Sequence, residues 1–560
     1  MKNLIVLIFI AFSLNVNSQC GIDWLKYTEG DSETQFYGLL SDSSNNILAW
    51  GEVDYGSTGF NYGSINIPDQ GGQRGILLKT DENGNELWAK SFISASDYCA
   101  VNSAVTNSNN EVYALVYGMG ALTLNGYGPI SPLTNNKYVS IVKFSSEGNY
   151  IWHKTISSTS AVSINIKQVN NRLFIAGSFK DNLTLADSTH YTSIIPFASN
   201  TDFFIAKLDT SGNLINSKFF GSNGSEGSGC FSVGGNGDLI VTTMSSATDL
   251  NIDGNIINNP SGENFNVIAS FDSLNFSSNW VKYIHNNPNL GFKSYTSEND
   301  IYITGGFGSG HIFPPYVFNT PSGTGGAFIA KMDLLGNVAW VKNATSSSWN
   351  NIIINDIKFK DGFIYSSMDL KDTFNFNGTY IGNTWSDYYN SMAFVKFDSN
   401  GEFISMLLES DSSNICYADG IALNRNGDLI VSGHFKKKFN FSGYDIQFSN
   451  PVSNLGYGWN ELFAKICPEF FVGLPDSKKN NLLKVFPNPT SDKFTINYDG
   501  ELKVSEIRVV DNSGRTRILL NSFDSRHEID ISALENNFYI LKVTFENGSQ
   551  VCKKLIKIED

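Results

Sequence analysis

The sequence has few charged residues and few cysteines for its length, and after its first residues it has no long apolar run. Only 17% of the 560 residues are charged, and the formal net charge is −15. This balance argues against nucleic acids and anionic membranes as partners, because both are bound through a basic surface. No later segment could cross a membrane as a helix, so we expect no transmembrane segment. No helical periodicity is present either, which favours an all-β fold.

The chain also lacks the short motifs that mark common catalytic and metal centres. It has no HExxH, GxSxG, phosphate-binding or paired-cysteine motif. Asp-x-x-Gly-Asn runs faintly resemble calcium loops, but without the other carboxylates and the closing Glu they are better interpreted as turns. We therefore expect no catalytic residue, no metal and no cofactor. The six histidines show no metal-ligand spacing; they are His153, His190, His285, His311, His434 and His527.

What the sequence does contain is a strand–turn–strand repeat. Each copy has a strand such as FIAKLD, a turn such as DTSGN whose Gly adopts positive φ, and a second strand usually centred on Trp. A fixed period of this size predicts an array of units that bury their apolar faces against one another. The anchoring positions are 64, 64, 63, 61, 65 and 69 residues apart, at Lys79, Lys143, Lys207, Ser270, Lys331, Lys396 and Lys465.

A further hairpin in each unit predicts four antiparallel strands per unit and a seven-bladed β-propeller. The Trp strand at 22–27 has no partner before it, and the strand at 462–467 has no Trp strand after it. Pairing these two strands would complete the seventh blade and remove the exposed sheet edges. The units resemble the bacterial propeller repeats often called SBBP repeats, and this resemblance implies a fold but no single activity.

The cysteines are consistent with this closure. Cys20 and Cys467 fall where the missing hairpin turn would be, so we expect a disulfide between them. In the chain-entropy model such a long loop contributes roughly 5 kcal/mol. Two unpaired thiols are the alternative. We expect Cys99, Cys230 and Cys416, which open the first strands of three blades, to pack in the core.

The ends of the chain predict export. Residues 1–18 have a Lys, an apolar run and small residues before a cleavage site between Ser18 and Gln19, as in a secretory signal peptide. Lipidation at Cys20 is the alternative. We assign the propeller to residues 19–468, a polar linker to 469–483, and a small β-sandwich to 484–560.

This C-terminal segment strongly resembles the type A sorting domain of type IX secretion cargo, found in Bacteroidetes. One departure is Asn536-Asn537, where the family usually has Gly. The resemblance implies recognition by the type IX translocon and its outer-membrane shuttle, and a protein that passes through the periplasm and is secreted or attached to the outer cell surface. An Ig-like binding module is the alternative. The matching positions are Phe486, Pro487, Asn488, Pro489, Asp511, Gly514, Arg515, Ile531 to Leu534, Tyr539, Lys553, Lys554 and Leu555.

The long connections between second and third strands share one face of the predicted ring, where loops carry function. Aromatic residues in the last third should lie on that face, where they would bind a glycan or a surface protein, or simply pack the loops together. The leading hypothesis is a binding or adhesion module; the alternative is a polysaccharide-active enzyme with its site at the channel mouth. Clustered acidic residues there would favour the enzyme. The aromatic candidates are Trp349, Trp385, Tyr388, Tyr389, Tyr457 and Trp459.

Overall fold

The structure is a computed structural model, and every element in the part of the chain that it describes is a β-strand, so the predicted all-β class is confirmed. The predicted cleavage site at Ser18 and Gln19 and the predicted Cys20–Cys467 disulfide lie outside the described residues. The residues that the structure describes are 22–28, 33–54, 59–68, 72–94, 98–124, 137–158, 162–185, 189–193, 200–227, 229–260, 262–284, 292–308, 311–318, 325–346, 352–371, 374–376, 379–381, 391–409, 415–436, 439–441, 444–446, 459–466, 483–488, 490–498, 503–510, 516–521, 526–535, 538–545 and 550–557.

The chain separates into two compact units, Trp24–Phe471 and the segment that begins at Val472. The first strands are β1 Ile22–Tyr27, β2 Thr34–Ser41, β3 Ile47–Val53, β4 Phe60–Tyr62, β5 Ile65–Ile67, β6 Arg74–Thr80, β7 Glu86–Ser94, β8 Cys99–Thr106, β9 Val112–Met119, β10 Leu122–Leu124, β11 Lys137–Phe144, β12 Tyr150–Ser158, β13 Val162–Val169, β14 Arg172–Phe179, β15 Asn182–Thr184, β16 His190–Thr192, β17 Asp202–Asp209 and β18 Leu214–Phe220. They are followed by β19 Phe231–Val233, β20 Leu239–Ser245, β21 Asp249–Ile252, β22 Asn255–Asn258, β23 Phe265–Phe271, β24 Ser278–Ile284, β25 Lys293–Thr296, β26 Asp300–Gly308, β27 His311–Phe313, β28 Tyr316–Phe318, β29 Gly325–Asp333 and β30 Val338–Ser346. The unit continues with β31 Ile352–Lys360, β32 Phe363–Leu370, β33 Phe374–Phe376, β34 Thr379–Ile381, β35 Ser391–Asp398, β36 Phe403–Glu409, β37 Cys416–Leu423, β38 Leu429–Phe435, β39 Phe439–Phe441, β40 Tyr444–Ile446 and β41 Asn460–Ile466.

Seven sheets of this unit share a plan of four antiparallel strands, which gives a propeller-like fold. In the last sheet β1 lies next to β41, the neighbour that the sequence predicts for it. Just after β1, the backbone N–H of Thr28 donates to the carbonyl of Glu461 in β41 at 2.8 Å. The sheet orders are β2-β3-β6-β7-β10, β8-β9-β11-β12-β15-β16, β13-β14-β17-β18, β19-β20-β23-β24, β25-β26-β29-β30-β33-β34, β31-β32-β35-β36 and β37-β38-β41-β1.

At four of the seven repeat positions the structure describes an ion pair between the repeated Lys and an acidic residue of its own sheet. The Lys79 ammonium and the Asp42 carboxylate are 2.9 Å apart, and both side chains are almost completely buried. In the fourth sheet Ser270 takes the Lys position, and its hydroxyl lies 3.2 Å from the Asn279 amide. The equivalent ion pairs are Lys143–Glu111, Lys331–Asp300 and Lys465–Asp428.

The repeated turn uses its own carboxylate. In the turn after β6, Asp81 Oδ1 accepts hydrogen bonds from the backbone N–H groups of Asn83 and Asn85. Gly84 follows with φ +73°, a conformation that glycine adopts without strain. The Trp of one sheet lies against the turn Gly of the next. These pairs are Trp24–Gly84, Trp88–Gly148, Trp152–Gly212, Trp280–Gly336 and Trp340–Gly401.

The long connections contain short hairpins that the sequence analysis did not predict. The strands β4–β5, β21–β22, β27–β28 and β39–β40 form separate pairs, whereas β10, β15 and β33 add to the outer strand of the preceding sheet. Alternating apolar residues around a Gly would have indicated them. This pattern is visible in FNYGSINI, LNIDGNII, FNFNGTYI and FNFSGYDI, which begin at Phe60, Leu250, Phe374 and Phe439.

The predicted burial of the cysteines holds for two of the three. Cys99 and Cys416 begin β8 and β37 and are buried. Cys230 lies just before β19 and is only half-buried, and its thiol lies 3.1 Å from the Phe292 carbonyl oxygen. Its strand is shorter than the other first strands, which leaves the sulfur at the strand's edge.

The C-terminal unit consists of two sheets around one apolar core. Their orders are β42-β43-β46 and β45-β44-β47-β48. The core includes Phe494, Ile507, Val509, Tyr539 and Val543. The strands are β42 Leu483–Phe486, β43 Lys493–Tyr498, β44 Val504–Val510, β45 Thr516–Asn521, β46 Arg526–Asp530, β47 Phe538–Phe545 and β48 Gln550–Ile556.

Candidate functional site

One cavity of about 780 Å³ is bordered by the first strands of all seven sheets. These strands are β2, β8, β13, β19, β25, β31 and β37. Since side chains alternate along a strand, about every second residue of each strand faces the cavity. A cavity of this volume is large enough for a small-molecule ligand or part of a polymer.

Three lysines line this cavity. Lys358 forms an ion pair with Asp356 at 2.5 Å, whereas Lys167 and Lys293 have exposed side chains. The strands around the cavity partly desolvate the exposed Lys167 side chain, which lowers its pKa, and the neighbouring Lys358 lowers it further. The two cavity carboxylates, on Asp356 and Asp419, are both in ion-pair contact. The cavity is therefore cationic within an acidic protein.

Aromatic and amide side chains complete the wall. Tyr37 and Tyr98 are 41% and 44% exposed, and Tyr98 packs edge-on against Tyr117. Tyr37 hydrogen-bonds to Glu52, whose pKa is raised by burial. Exposed aromatic faces and amides are the groups that commonly contact sugar rings and their hydroxyls. The amide-bearing residues are Gln35, Asn102, Asn165, Gln168 and Asn355.

Beside the cavity, His434 is held between two aromatic rings and a carboxylate. Its Nδ1 lies 2.7 Å from Asp419 Oδ2. The Tyr417 ring stacks on the imidazole at 4.7 Å, and Trp459 contacts it edge-to-face at 4.9 Å. Burial alone would lower the pKa of His434, but Asp419 more than offsets this effect, so that the pKa is raised. The Lys436 ammonium lies 4.5 Å from the centre of the Trp459 ring.

Two further carboxylates are buried near this histidine. Glu461 is opposite His434 in the β38–β41 register and is completely buried. Its pKa is raised well above the usual range, first by burial and then by Asp419. Asp369 accepts hydrogen bonds from the Asn355 amide and the Ala418 N–H, both at 2.8 Å. Burial raises the pKa of Asp369 to about 7.

This group of residues is not among the candidates predicted from the sequence. Asp419, His434 and Glu461 are far apart along the chain and form no motif, although their strands were identified. Asp419 occupies a bulge between Ala418 and Gly420, and only the register of that bulge brings its carboxylate beside His434. No local sequence signal indicates such a bulge.

Of the six aromatic candidates, Trp459 is described, and it borders the His434 group from the residue before β41. Among the sorting residues, Pro487 and Asn488 follow β42, and Lys553 and Lys554 belong to β48. Tyr539 is buried, and its hydroxyl donates to the Glu535 carbonyl at 2.7 Å. Outside the described residues lie Trp349, Trp385, Tyr388, Tyr389, Tyr457, Pro489 and Gly514.

Residues 484–559 match the family described as the secretion system C-terminal sorting domain. The protein is therefore cargo of the type IX secretion system and is secreted or displayed at the cell surface. Within the described ranges there is no long apolar helix that could cross a membrane. No curated protein matches the sequence.

Several solved structures are similar at low identity. Prolyl oligopeptidase B from Galerina marginata is 7% identical over 84% of this chain and 55% of its own, with a TM-score of 0.37. The phage phi92 endosialidase is 11% identical over 96% and 79%, with a TM-score of 0.33. A quinohemoprotein alcohol dehydrogenase from Comamonas testosteroni is 11% identical over 62% and 72%, with a TM-score of 0.27. At these scores the similarities carry no argument about activity.

Proposed function

We propose that this secreted or cell-surface protein is a non-catalytic binding module that holds an acidic glycan at the cavity of a closed seven-bladed propeller. The observation that carries the proposal is the composition of the cavity wall. Exposed tyrosines, amides and lysines with exposed side chains, such as Lys167 and Lys293, converge there from different sheets. Aromatic faces suit sugar rings, amides suit hydroxyls, and the lysines suit carboxylate or sulfate groups.

Two contacts and one cavity support a closed ring of seven blades. β1 pairs with β41, the Trp24 indole N–H donates to the Glu82 carbonyl at 3.0 Å, and one cavity borders all seven first strands. In this arrangement the propeller occupies residues 19–468, with a signal peptide at 1–18. A linker at 469–483 then leads to the sorting domain at 484–560.

Binding fits the geometry better than catalysis. A glycosidase needs two carboxyl groups on opposite sides of an accessible bond. Here Asp356 is paired with Lys358 and Asp419 with His434, whereas Glu461 is completely buried. The residues that remain accessible in the cavity are the ones suited to recognition.

A glycan array with the mature protein tests the proposal. We expect binding to anionic polysaccharides that weakens as salt is added, because the cavity lysines are in water contact. Lys167→Met and Lys293→Met should each weaken binding by about tenfold or more, since a hydrogen bond to a charged group contributes about 1.5–3 kcal/mol. Lys282→Met, on the outer strand β24, is the matched control. Affinity that is equal in all three variants would contradict the cavity as the site.

The aromatic candidates of the last third are tested separately. Trp385→Ala and Trp459→Ala should weaken glycan binding if the ligand extends from the cavity onto the long connections. Unchanged affinity in both variants would restrict the site to the cavity wall. If the protein binds surface proteins but no glycan, it is still a binding module, but its ligand is a protein and not a glycan.

The second candidate is a polysaccharide-active enzyme, favoured by the carboxylates of Asp369, Asp419 and Glu461 near the cavity. Release of reducing ends from an acidic polysaccharide measures this activity. If the wild type releases reducing ends and Asp419→Asn does not, the protein is an enzyme and a purely binding role is rejected.

A further inference from the structure

We propose that Asp419, His434 and Glu461 form a site for a divalent transition-metal cation, with Zn²⁺ as the first candidate. The ligand atoms of these three side chains all lie within 4.8 Å of one another. A cation placed between them would be bound by two carboxylates and one imidazole. This inference does not depend on the glycan ligand.

The fold brings the three residues together from three adjacent strands. His434 on β38 is opposite Glu461 on β41, and Asp419 projects from the bulge of β37. Tyr417 and Trp459 hold the imidazole ring from two sides. Ligands on paired strands are held more firmly than ligands on loops, which is what a metal site requires.

Glu461 supplies the second observation that points to a ligand. Its Oε2 accepts the Phe36 N–H at 3.2 Å, but among the described residues its Oε1 has no hydrogen-bond partner. The side chain is completely buried, so water does not replace that partner from bulk solvent. Buried polar atoms are normally satisfied, so a completely buried carboxylate oxygen without a hydrogen bond indicates a missing group.

The electrostatics of the cluster also favour a cation. Two carboxylates this close repel each other when both are ionised, unless positive charge lies between them. A buried dication would neutralise both. A shared proton is the competing explanation, and the experiment below separates the two.

The ligand chemistry selects the metal. Imidazole nitrogen suits Zn²⁺ and its transition-metal neighbours, whereas Ca²⁺ and Mg²⁺ prefer all-oxygen sets. Three protein ligands leave further coordination positions for water, as in many zinc sites. We therefore expect Zn²⁺ to bind more tightly than Ca²⁺.

The test uses the full mature protein without a histidine tag, freed of metal by chelation. Isothermal titration with Zn²⁺, Mn²⁺ and Ca²⁺, with metal analysis after dialysis, should give one tightly bound Zn²⁺ per chain. Glu461→Gln and His434→Gln should each reduce Zn²⁺ affinity by at least about tenfold. Glu226→Gln, which changes another completely buried carboxylate, is the matched control and should bind as the wild type does.

An absorption-edge measurement on the zinc-loaded wild-type protein requires no variant to fold. One imidazole and several oxygens around zinc would support the site, whereas sulfur ligands or several imidazoles would place zinc elsewhere and overturn the proposal. Absence of Zn²⁺ binding to the wild type would leave the shared proton as the explanation. A folded Glu461→Gln protein that binds Zn²⁺ as tightly as the wild type would also overturn the proposed metal site.

Discussion

The Trp24 indole packs directly on Gly84. A Cβ added to Gly84 would lie 2.8 Å from Trp24 Cζ3, closer than real Cβ contacts allow. Trp24 belongs to β1 of the last sheet, and Gly84 to the turn after β6 of the first. The same contact links neighbouring sheets elsewhere, for example between Trp88 and Gly148. The Trp24–Gly84 contact is thus of the same kind as the contacts between other neighbouring sheets.

One copy departs from this pattern at both positions. Asn216 stands where five of the other six sheets have Trp and the remaining one has Ser405, and its amide donates to the Leu274 carbonyl at 3.2 Å, replacing the indole N–H. The facing turn has Phe276 at φ +61° in place of Gly. A side chain in the turn leaves no room for an indole, so the two substitutions belong together.

Gly148→Ala should destabilise the protein more than Gly362→Ala. Both glycines have nearly the same φ, +81° and +82°, so the backbone strain of about 1 kcal/mol is shared. Only at Gly148 would the new methyl meet the Trp88 ring, at 2.8 Å, which adds about 1–3 kcal/mol. Urea unfolding followed by tryptophan fluorescence measures this, because all nine tryptophans precede Val472. Equal losses would show that the indole contact contributes nothing.

Asp42→Asn should cost about 3–5 kcal/mol of unfolding free energy, because it leaves the Lys79 ammonium buried without its counter-ion. Glu402→Gln is the control: the Glu402 side chain of the Lys342–Glu402 pair is about half exposed, so this change should cost less than about 1 kcal/mol. The same fluorescence-monitored unfolding compares the two variants. A small loss in Asp42→Asn would mean that Lys79 reaches water in the folded state.

The stability of the first unit should fall as pH rises because of Glu226. This carboxyl is buried and accepts hydrogen bonds from Ser222 and Ser245, and burial raises its pKa from 4.5 to about 7. The folded state therefore holds a proton that the unfolded state releases. The associated stability is complete below pH 4.5 and is lost by about pH 7, roughly 3 kcal/mol in all.

The Glu226→Gln variant isolates this effect, because its amide cannot ionise. The difference in unfolding free energy between variant and wild type should grow in the variant's favour from pH 4.5 to about pH 7 and then level off. A difference that does not change with pH would show that Glu226 has an ordinary pKa.

Removal of residues 484–560 should prevent display or release of the protein and leave it in the periplasm. The reason is that this segment matches the secretion system C-terminal sorting domain. Cell fractionation with an antibody to the propeller measures the outcome. Fusion of the same segment to a periplasmic reporter is the converse test, and a reporter that stays in the periplasm would contradict autonomous sorting.

The repeated strands, their turns and the C-terminal sorting segment could be predicted from the sequence, because these features are local or periodic. The turn Gly, the Trp opposite it and the Lys near each strand end recur with the fold's own period. Even the β1–β41 pairing follows from counting strands, since an unpaired strand at each end leaves one arrangement. The sorting segment is specific because its motif is contiguous.

Only the tertiary structure decided which side chains meet. The group of Asp419, His434 and Glu461 depends on a bulge in β37 and on the register of two strand pairs, neither of which leaves a local sequence signal. The cationic cavity likewise combines Lys167 and Lys293 from different sheets. Local sequence governs strands and turns through short-range geometry, whereas contacts between distant residues depend on how the sheets pack around their shared cavity.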